Sequence, residues 1–76
     1  MKLKEFLISN IAIDEHWRVQ YYADGINVVF DTGKDNSITT VELIEQYGNK
    51  RIESVFVDTI KRYHGNYPQI VFEIEK

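Results

Sequence analysis

The spacing of apolar residues changes along the chain, and each change marks a new predicted element. Apolar side chains recur at three and four positions in residues 2–9, which predicts a short amphipathic helix. Strict alternation of apolar and polar side chains over residues 17–21 then predicts a half-buried strand. Asp24 and Gly25 follow, and both accept the positive φ that a tight hairpin turn requires. Residues 26–30 therefore form the predicted return strand.

The second half of the chain begins with a helix signal. Thr39 and Glu42 have the spacing of a capping box, and Gly48 with Asn49 predicts a helix end in the left-handed conformation. Residues 51–64 fit two structures. As a helix they place several apolar residues on one face, and as a strand they are rich in β-branched and aromatic residues before a turn at residues 64–66.

A comparison of the two halves favours the strand. Residues 5–7 resemble residues 42–44, and residues 27–31 resemble residues 69–73. A strand lies between the matching segments of the first half, so we expect one in the second half as well. The predicted order is helix, strand, strand, twice over (αββαββ). Residues 1–76 are thus expected to form a single α+β domain, a four-stranded, mostly antiparallel sheet of two hairpins with two short helices on one face.

Length and composition narrow the class of protein. The chain has 76 residues, and a domain of this size buries only about 60% of its unfolded surface, which leaves a thin core. Without cysteine it has neither disulfides nor thiolate metal ligands. The first residues lack the apolar core of a signal peptide, and no segment approaches the roughly 18 apolar residues of a membrane span. We expect a cytoplasmic protein that does not enter the membrane.

Charge gives little indication of the partner. Twelve acidic and nine basic residues leave a formal charge of −3, and both signs are spread evenly along the chain. The basic footprint of a non-specific duplex binder is therefore missing.

Two groups of residues carry side chains of the kinds that bind metal ions. The loop at residues 31–42 has oxygen-bearing side chains at five positions of an EF-hand pattern, but Gly33 stands where a ligand is needed and Asn36 where the sharp turn needs glycine. The adjacent residues 14–16 carry two acids and a histidine, which rarely converge on one ion. We interpret both as polar connections and expect neither a metal nor a cofactor.

Catalytic motifs are also missing from the sequence. No serine stands in a Gly-x-Ser-x-Gly elbow, and there is no cysteine nucleophile. Gly33 and Lys34 are not preceded by the glycine-rich stretch that wraps a phosphate. We do not expect an enzyme.

Basic and aromatic residues alternate in residues 61–68, and this is the stretch most indicative of binding. Such side chains stack on unpaired bases or anchor protein interfaces, and they also occur in plain hairpin tips whose tyrosines pair across the strands. Exposed aromatics beside the first turn are a second candidate. The predicted partner-binding residues are Lys61, Arg62, Tyr63, His64, Tyr67 and Tyr22.

A sheet with helices on one face leaves its other face to be covered. In the second half, that face is expected to carry either Val55 and Val57 or the alternating apolar residues of 70–74. If both sets are substantial, a bare apolar face favours a homodimer or contact with another protein. An edge strand offers a further route, by strand addition.

Residues 40–49 and 70–76, together with a short charged helix and a hairpin closed by Asp24 and Gly25, resemble small accessory proteins of phages and prophages of Gram-positive bacteria. The resemblance implies a small acidic domain that acts by binding, and some such proteins inhibit host defence nucleases, as anti-CRISPR proteins do. The expected function is a non-catalytic module that inhibits or regulates a host protein. The alternative is a small nucleic-acid-binding protein that uses the basic and aromatic hairpin tip.

Overall fold

The computed structural model describes residues 1–10, 16–62 and 65–76. Within these ranges the α+β class, with two short helices and four strands, is confirmed, and residues 52–62 adopt the strand rather than the helix. Asp14 and Glu15 lie outside the described residues. The elements in chain order are α1 (Leu3–Asn10), β1 (Trp17–Tyr22), β2 (Ile26–Asp31), α2 (Thr40–Tyr47), β3 (Ile52–Arg62) and β4 (Gly65–Ile74).

The strands of the described part of the chain form one mixed sheet in the order β2-β1-β4-β3. β1 pairs with β2 and β3 pairs with β4 in antiparallel hairpins, so the prediction of a mostly antiparallel sheet is confirmed. The two hairpins join through a parallel pairing of β1 with β4. The segment that contains α2 carries the chain from β2 at one edge of the sheet to β3 at the other edge. β4 then returns to lie beside β1, which makes that pairing parallel.

Both helices cover the same face of the sheet. Their buried residues meet the inward side chains of β1, β2 and β4, and each fully buried aliphatic or aromatic side chain stabilises the fold by roughly 1.5–3 kcal/mol. The buried core cluster consists of Leu3, Leu7, Val19, Phe30, Leu43, Phe72 and Ile74.

The start of α2 matches the sequence prediction, whereas its end does not. Thr39 Oγ1 accepts from the Glu42 backbone N–H, and Glu42 Oε1 accepts from the Thr39 N–H, both at 3.1 Å. Gly48 closes the helix with φ −60°, so the predicted left-handed end is wrong. Glycine is needed for a different reason: a Cβ at this position would collide with the Ile44 carbonyl of α2 and come within 2.9 Å of Lys4 Cβ on α1. The Gly48 carbonyl also accepts from the Lys4 N–H at 2.9 Å.

The first hairpin has the predicted positive φ at both turn positions, 54° at Asp24 and 124° at Gly25. Tyr22 pairs with Ile26, however, so the loop has three residues rather than the two that the sequence indicated. Asn27 Nδ2 donates to the carbonyls of both Ala23 and Gly25, at 3.0 and 3.1 Å, and this bracing favours the wider loop.

The second hairpin is longer than predicted. Its pairing extends to Arg62 and Gly65, so the predicted turn at residues 64–66 is wrong, because Gly65 and Asn66 belong to β4. β1 pairs only with residues 70–73 of β4. The outer part of the hairpin, residues 58–62 and 65–69, therefore extends beyond β1, and we call it the hairpin arm.

Candidate functional site

The sheet face turned away from the helices, which we call the open face, differs from the sequence prediction. The register puts Val55 and Val57 on the same side as the core residues of β4, so these two sets do not form a bare apolar face. The open face instead has a polar centre with apolar residues at both ends. Its residues are Arg18, Gln20 and Tyr22 of β1, Ile26, Val28 and Asp31 of β2, Ser54, Phe56, Asp58 and Ile60 of β3, and Tyr67, Gln69, Val71 and Glu73 of β4.

The polar centre joins the strands through one side chain from each. Arg18 donates to Gln69 Oε1 and to Asp58 Oδ2, both at 3.2 Å, and Gln69 Nε2 donates to Asp31 Oδ1 at 2.9 Å. Gln69 and Asp31 are buried, and every buried side-chain nitrogen or oxygen of the described residues has a hydrogen-bond partner. A satisfied network of this kind holds its members in fixed positions, so the centre of the open face is rigid.

The network continues along the central strands. The Arg18 Nε donates to Gln20 Oε1 at 2.9 Å, and Gln20 Nε2 donates to Glu73 Oε2 at 3.0 Å. Val71 lies between Arg18 and Phe56 in the register and is fully buried, although the helices pack on the opposite side of the sheet. The long side chains of this face thus cover the backbone that the helices do not reach.

A cleft of about 310 Å³ lies beside the hairpin arm and is lined by His16, Gly33, Ile60 and Tyr67. The imidazole of His16 meets the Tyr67 ring edge to face, with the ring centroids 5.8 Å apart. Ile60 is the cross-strand partner of Tyr67, which is 39% exposed. The cleft therefore has one apolar wall and one aromatic wall with polar atoms at its rim, a combination that suits a side chain of another molecule.

The loop between β2 and α2 forms the rim of this cleft. Asn36 braces the loop by accepting from the Asp31 N–H at 2.8 Å and donating to the Asp31 carbonyl at 2.9 Å. These two bonds use the backbone of Asp31, while its side-chain carboxylate accepts from the Gly33 N–H at 2.8 Å. Gly33 thus keeps its position at the cleft because the loop is tied to the polar centre.

The outer strand β3 exposes large apolar side chains on both of its faces. Val55 is 55% exposed, Phe56 41% and Val57 66%. Val55 and Val57 point to the side of the helices, but β3 forms the sheet edge, where α1 and α2 do not cover them. Three consecutive exposed apolar residues on an edge strand are typical of an interaction surface or an aggregation site.

The structure separates the predicted partner-binding residues, which the sequence had placed together. Tyr67 lies on the open face, whereas Lys61 pairs with Asn66 and lies on the opposite face of the hairpin arm. The backbone of Arg62 pairs with Gly65 at the end of the arm. Tyr63 and His64 are outside the described residues, so the predicted cross-strand tyrosine pair is too.

Tyr22 belongs to a different end of the open face. It pairs with Ile26, and Val28 follows beside Gln20, so three exposed apolar residues adjoin there. At about 3.3 Å per residue, Tyr22 lies roughly 25 Å along the strands from Tyr67. The two tyrosines do not share one contact patch.

The first and last candidate calcium ligands of residues 31–42, Asp31 and Glu42, already have partners within the chain. Asp31 is engaged by Gly33 and Gln69, and Glu42 by the Thr39 N–H. Among the described residues, no three or more histidine, cysteine, aspartate or glutamate side chains come together as a metal set.

Several residues of the open face were missed by the sequence analysis. Arg18, Asp58 and Gln69 have the pattern of ordinary polar strand positions, Ile60 gave no binding signal, and His16 was singled out only as a possible metal ligand. One signal was present: polar residues alternate with core residues in β1, as in Arg18 and Gln20, and Gln69 and Glu73 flank the apolar residues 70–72 of β4. That alternation indicates a polar sheet face, but not which strands bring the residues together.

None of the helices in the described ranges is long and apolar enough to cross a membrane. Comparisons with models of protein families, with curated proteins and with solved structures give no match to this chain.

Proposed function

We propose that this chain is a non-catalytic protein-binding module that contacts its partner with the hairpin-arm end of the open face. The observation that carries the proposal is the cleft beside Tyr67, where an exposed aromatic ring and Ile60 stand next to a rigid polar centre. Partly exposed aromatic residues on a fixed support are typical binding hot spots, because little conformational entropy is lost when they are covered.

The distribution of charge favours a protein over a nucleic acid as the partner. Lys61 and Tyr67 lie on opposite faces of the hairpin arm, so they do not form the stacked, positively charged platform that single strands require. The basic residues Lys50 and Arg51 cannot complete such a platform, because they lie near the other end of β3, roughly 30 Å from Lys61 at about 3.3 Å per residue. Arg51 is also paired with Glu75, at 3.9 Å.

The resemblance of residues 40–49 and 70–76 to phage and prophage accessory proteins supplies the class of partner to test first. A host protein, such as a defence nuclease, is the proposed target, and the module acts as its inhibitor or regulator. This activity needs only a stable, partly apolar surface.

The test is an affinity pull-down of the tagged chain from a Gram-positive lysate, with and without nuclease treatment, read by mass spectrometry. We expect one host protein to be retained after nuclease treatment. Tyr67→Ala is expected to reduce its recovery at least about tenfold, as truncation of a hot-spot aromatic does. Tyr22→Ala is the matched control, since it removes a tyrosine ring, more exposed at 66% against 39% for Tyr67, at the far end of the same face.

The outcomes separate the alternatives. Recovery that disappears with nuclease treatment indicates nucleic-acid binding instead. Equal recovery with Tyr67→Ala and the unmodified chain shows that the cleft is not the contact, and a stronger loss with Tyr22→Ala moves the contact to the first hairpin. If no protein is retained at all, the binding-module proposal is wrong for that host.

A further inference from the structure

The outer edge of β3 has backbone groups that face away from the sheet. On the inner side, Ile70 donates its N–H to the His16 carbonyl at 2.9 Å, so the backbone N–H and C=O groups of the even-numbered residues in this part of β4 point to β1. The backbone groups of the odd-numbered residues of β4 then point to β3, where the register pairs these residues with Phe56 and Asp58. The N–H and C=O groups of Val55, Val57 and Thr59 therefore point outward.

This edge has few of the features by which proteins block strand addition. Edge strands are commonly protected by proline, by charged side chains in their middle or by a covering element. Residues 54–57 contain neither proline nor charge, and their apolar side chains are exposed. Asp58 gives partial protection, because its Oδ1 accepts from the outward Thr59 N–H at 2.9 Å. A pairing strand must replace that bond. The start of the edge is covered as well, because Ile52 donates its N–H to the Met1 carbonyl at 2.8 Å and Lys2 bridges to Arg51, so the stretch open to pairing begins after Ile52.

We propose that β3 pairs antiparallel with β3 of a second copy of this chain, about a two-fold axis at Val57. The pairing makes one continuous eight-stranded sheet from two four-stranded sheets. Outward backbone groups of each strand meet those of the other, and Val55 lies opposite Thr59 of the second copy. Self-pairing at this edge does not depend on the partner-binding function, because the cleft lies on the His16 side of the hairpin arm.

Charge favours a second copy as the occupant, in a register that a shift by one residue would disturb. A two-fold axis perpendicular to the sheet requires residues of the same parity to oppose each other, so the axis passes through a residue. With the axis at Val57, Lys61 of the second copy comes next to Glu53, which lies at the bulge between Ile52 and Ser54, and the symmetry forms this opposite-charge contact twice. Moving the axis to Phe56 places Lys61 opposite Arg51, and moving it to Asp58 places two aspartates together. Both shifts oppose like charges.

The first experiment is sedimentation equilibrium of the full chain over about 10 µM to 1 mM, a range that reveals weak and moderate dimers. The chain has a mass of 9.0 kDa, and a dimer of twice that mass is expected within the range. Val57→Lys places two positive charges on the axis and is expected to weaken the dimer at least about tenfold. Val41→Lys is the matched control, because Val41 is 64% exposed on α2 and lies away from this edge.

The second experiment tests the register with a charge swap. Glu53→Lys and Lys61→Glu each create two like-charge pairs and are expected to weaken the dimer about tenfold. The double variant restores opposite charges and is expected to recover the original dissociation constant. Circular dichroism of each variant verifies the fold, and both positions are exposed.

Three results overturn the proposal. One is a chain that stays monomeric over the whole range, which leaves the edge to a strand of a different protein. Another is an equal effect of Val57→Lys and Val41→Lys on the dissociation constant. The third is a double charge variant as weak as the single variants, which excludes the register at Val57.

Discussion

Gln69 Nε2 donates a 2.9 Å hydrogen bond to Asp31 Oδ1 and so joins β4 to β2 beside the first residue of β1. The same Gln69 side chain accepts from Arg18, which in turn reaches Asp58 on β3. The face without helices is therefore held together by polar contacts across all strands of the described sheet, while the opposite face is held by the apolar core. The candidate binding surface stands on the polar side.

Replacement of Gln69 tests how much this network stabilises the fold. Gln69→Met keeps a long, buried side chain but removes one of the two donors to the Asp31 carboxylate and leaves one Arg18 N–H without its acceptor. We expect the free energy of unfolding to fall by about 1–3 kcal/mol, the usual cost of unsatisfied buried polar groups. Urea denaturation measures it, and Gln46→Met on the exposed side of α2 is the matched control. Equal stability of both variants contradicts a stabilising network.

Gly48 tests the close approach of α1 to the end of α2. A methyl group at this position comes within 2.9 Å of Lys4 Cβ and also contacts the Ile44 carbonyl. Gly48→Ala is therefore expected to lower the free energy of unfolding by about 1–3 kcal/mol, as overpacking does. Thermal and urea denaturation give the value. A gain in stability, which the higher helix propensity of alanine alone predicts, would falsify the close packing at this point.

The capping box of α2 can be separated into its two bonds. Thr39→Ala removes the acceptor of the Glu42 N–H and is expected to cost about 0.5–2 kcal/mol in the free energy of unfolding. Glu42→Gln retains an oxygen for the Thr39 N–H and is expected to change stability by only a few tenths of a kcal/mol. Urea denaturation of the two variants side by side makes the comparison. Similar losses in both contradict this expectation and mean that the carboxylate charge of Glu42 contributes as much as the hydrogen bond to Thr39.

Calcium is expected to leave the stability unchanged. Asp31 and Glu42, the first and last positions of the EF-hand-like loop, are engaged by groups of the chain itself. A ligand that binds the folded state raises the melting temperature, so a scan at millimolar calcium, compared with one in chelator, is a direct measurement. A calcium-dependent rise that is lost in Asp31→Asn shows instead that the loop rearranges around the ion.

Local features of the fold could be predicted from the sequence because each depends on residues a few positions apart. The capping box needs only Thr39 and Glu42, and the positive φ values of the first turn follow from Asp24 and Gly25. Gly48 suggested a left-handed helix end, but it has φ −60°, and its lack of a side chain makes room for the Ile44 carbonyl and for Lys4 of α1.

The candidate site could not be predicted in the same way. The basic and aromatic residues near position 61 are neighbours in sequence, yet strand alternation places Lys61 and Tyr67 on opposite faces. The residues that do meet at the cleft come from separate segments. His16 precedes β1, Gly33 lies in the loop before α2, and Ile60 with Tyr67 belongs to the hairpin arm.

The sequence by itself determined the two helices, the first hairpin with its turn, and the alternation of core and polar positions in β1, whereas residues 51–64 fitted a helix as well as a strand. Only the tertiary structure decided that β1 lies beside β4, and with it that Arg18 meets Asp58 and Gln69, 40 and 51 positions away. Secondary structure follows from periodicity and from contacts between near neighbours. Strand order depends on the burial of both helices against one sheet, a property of the whole chain that no short segment contains.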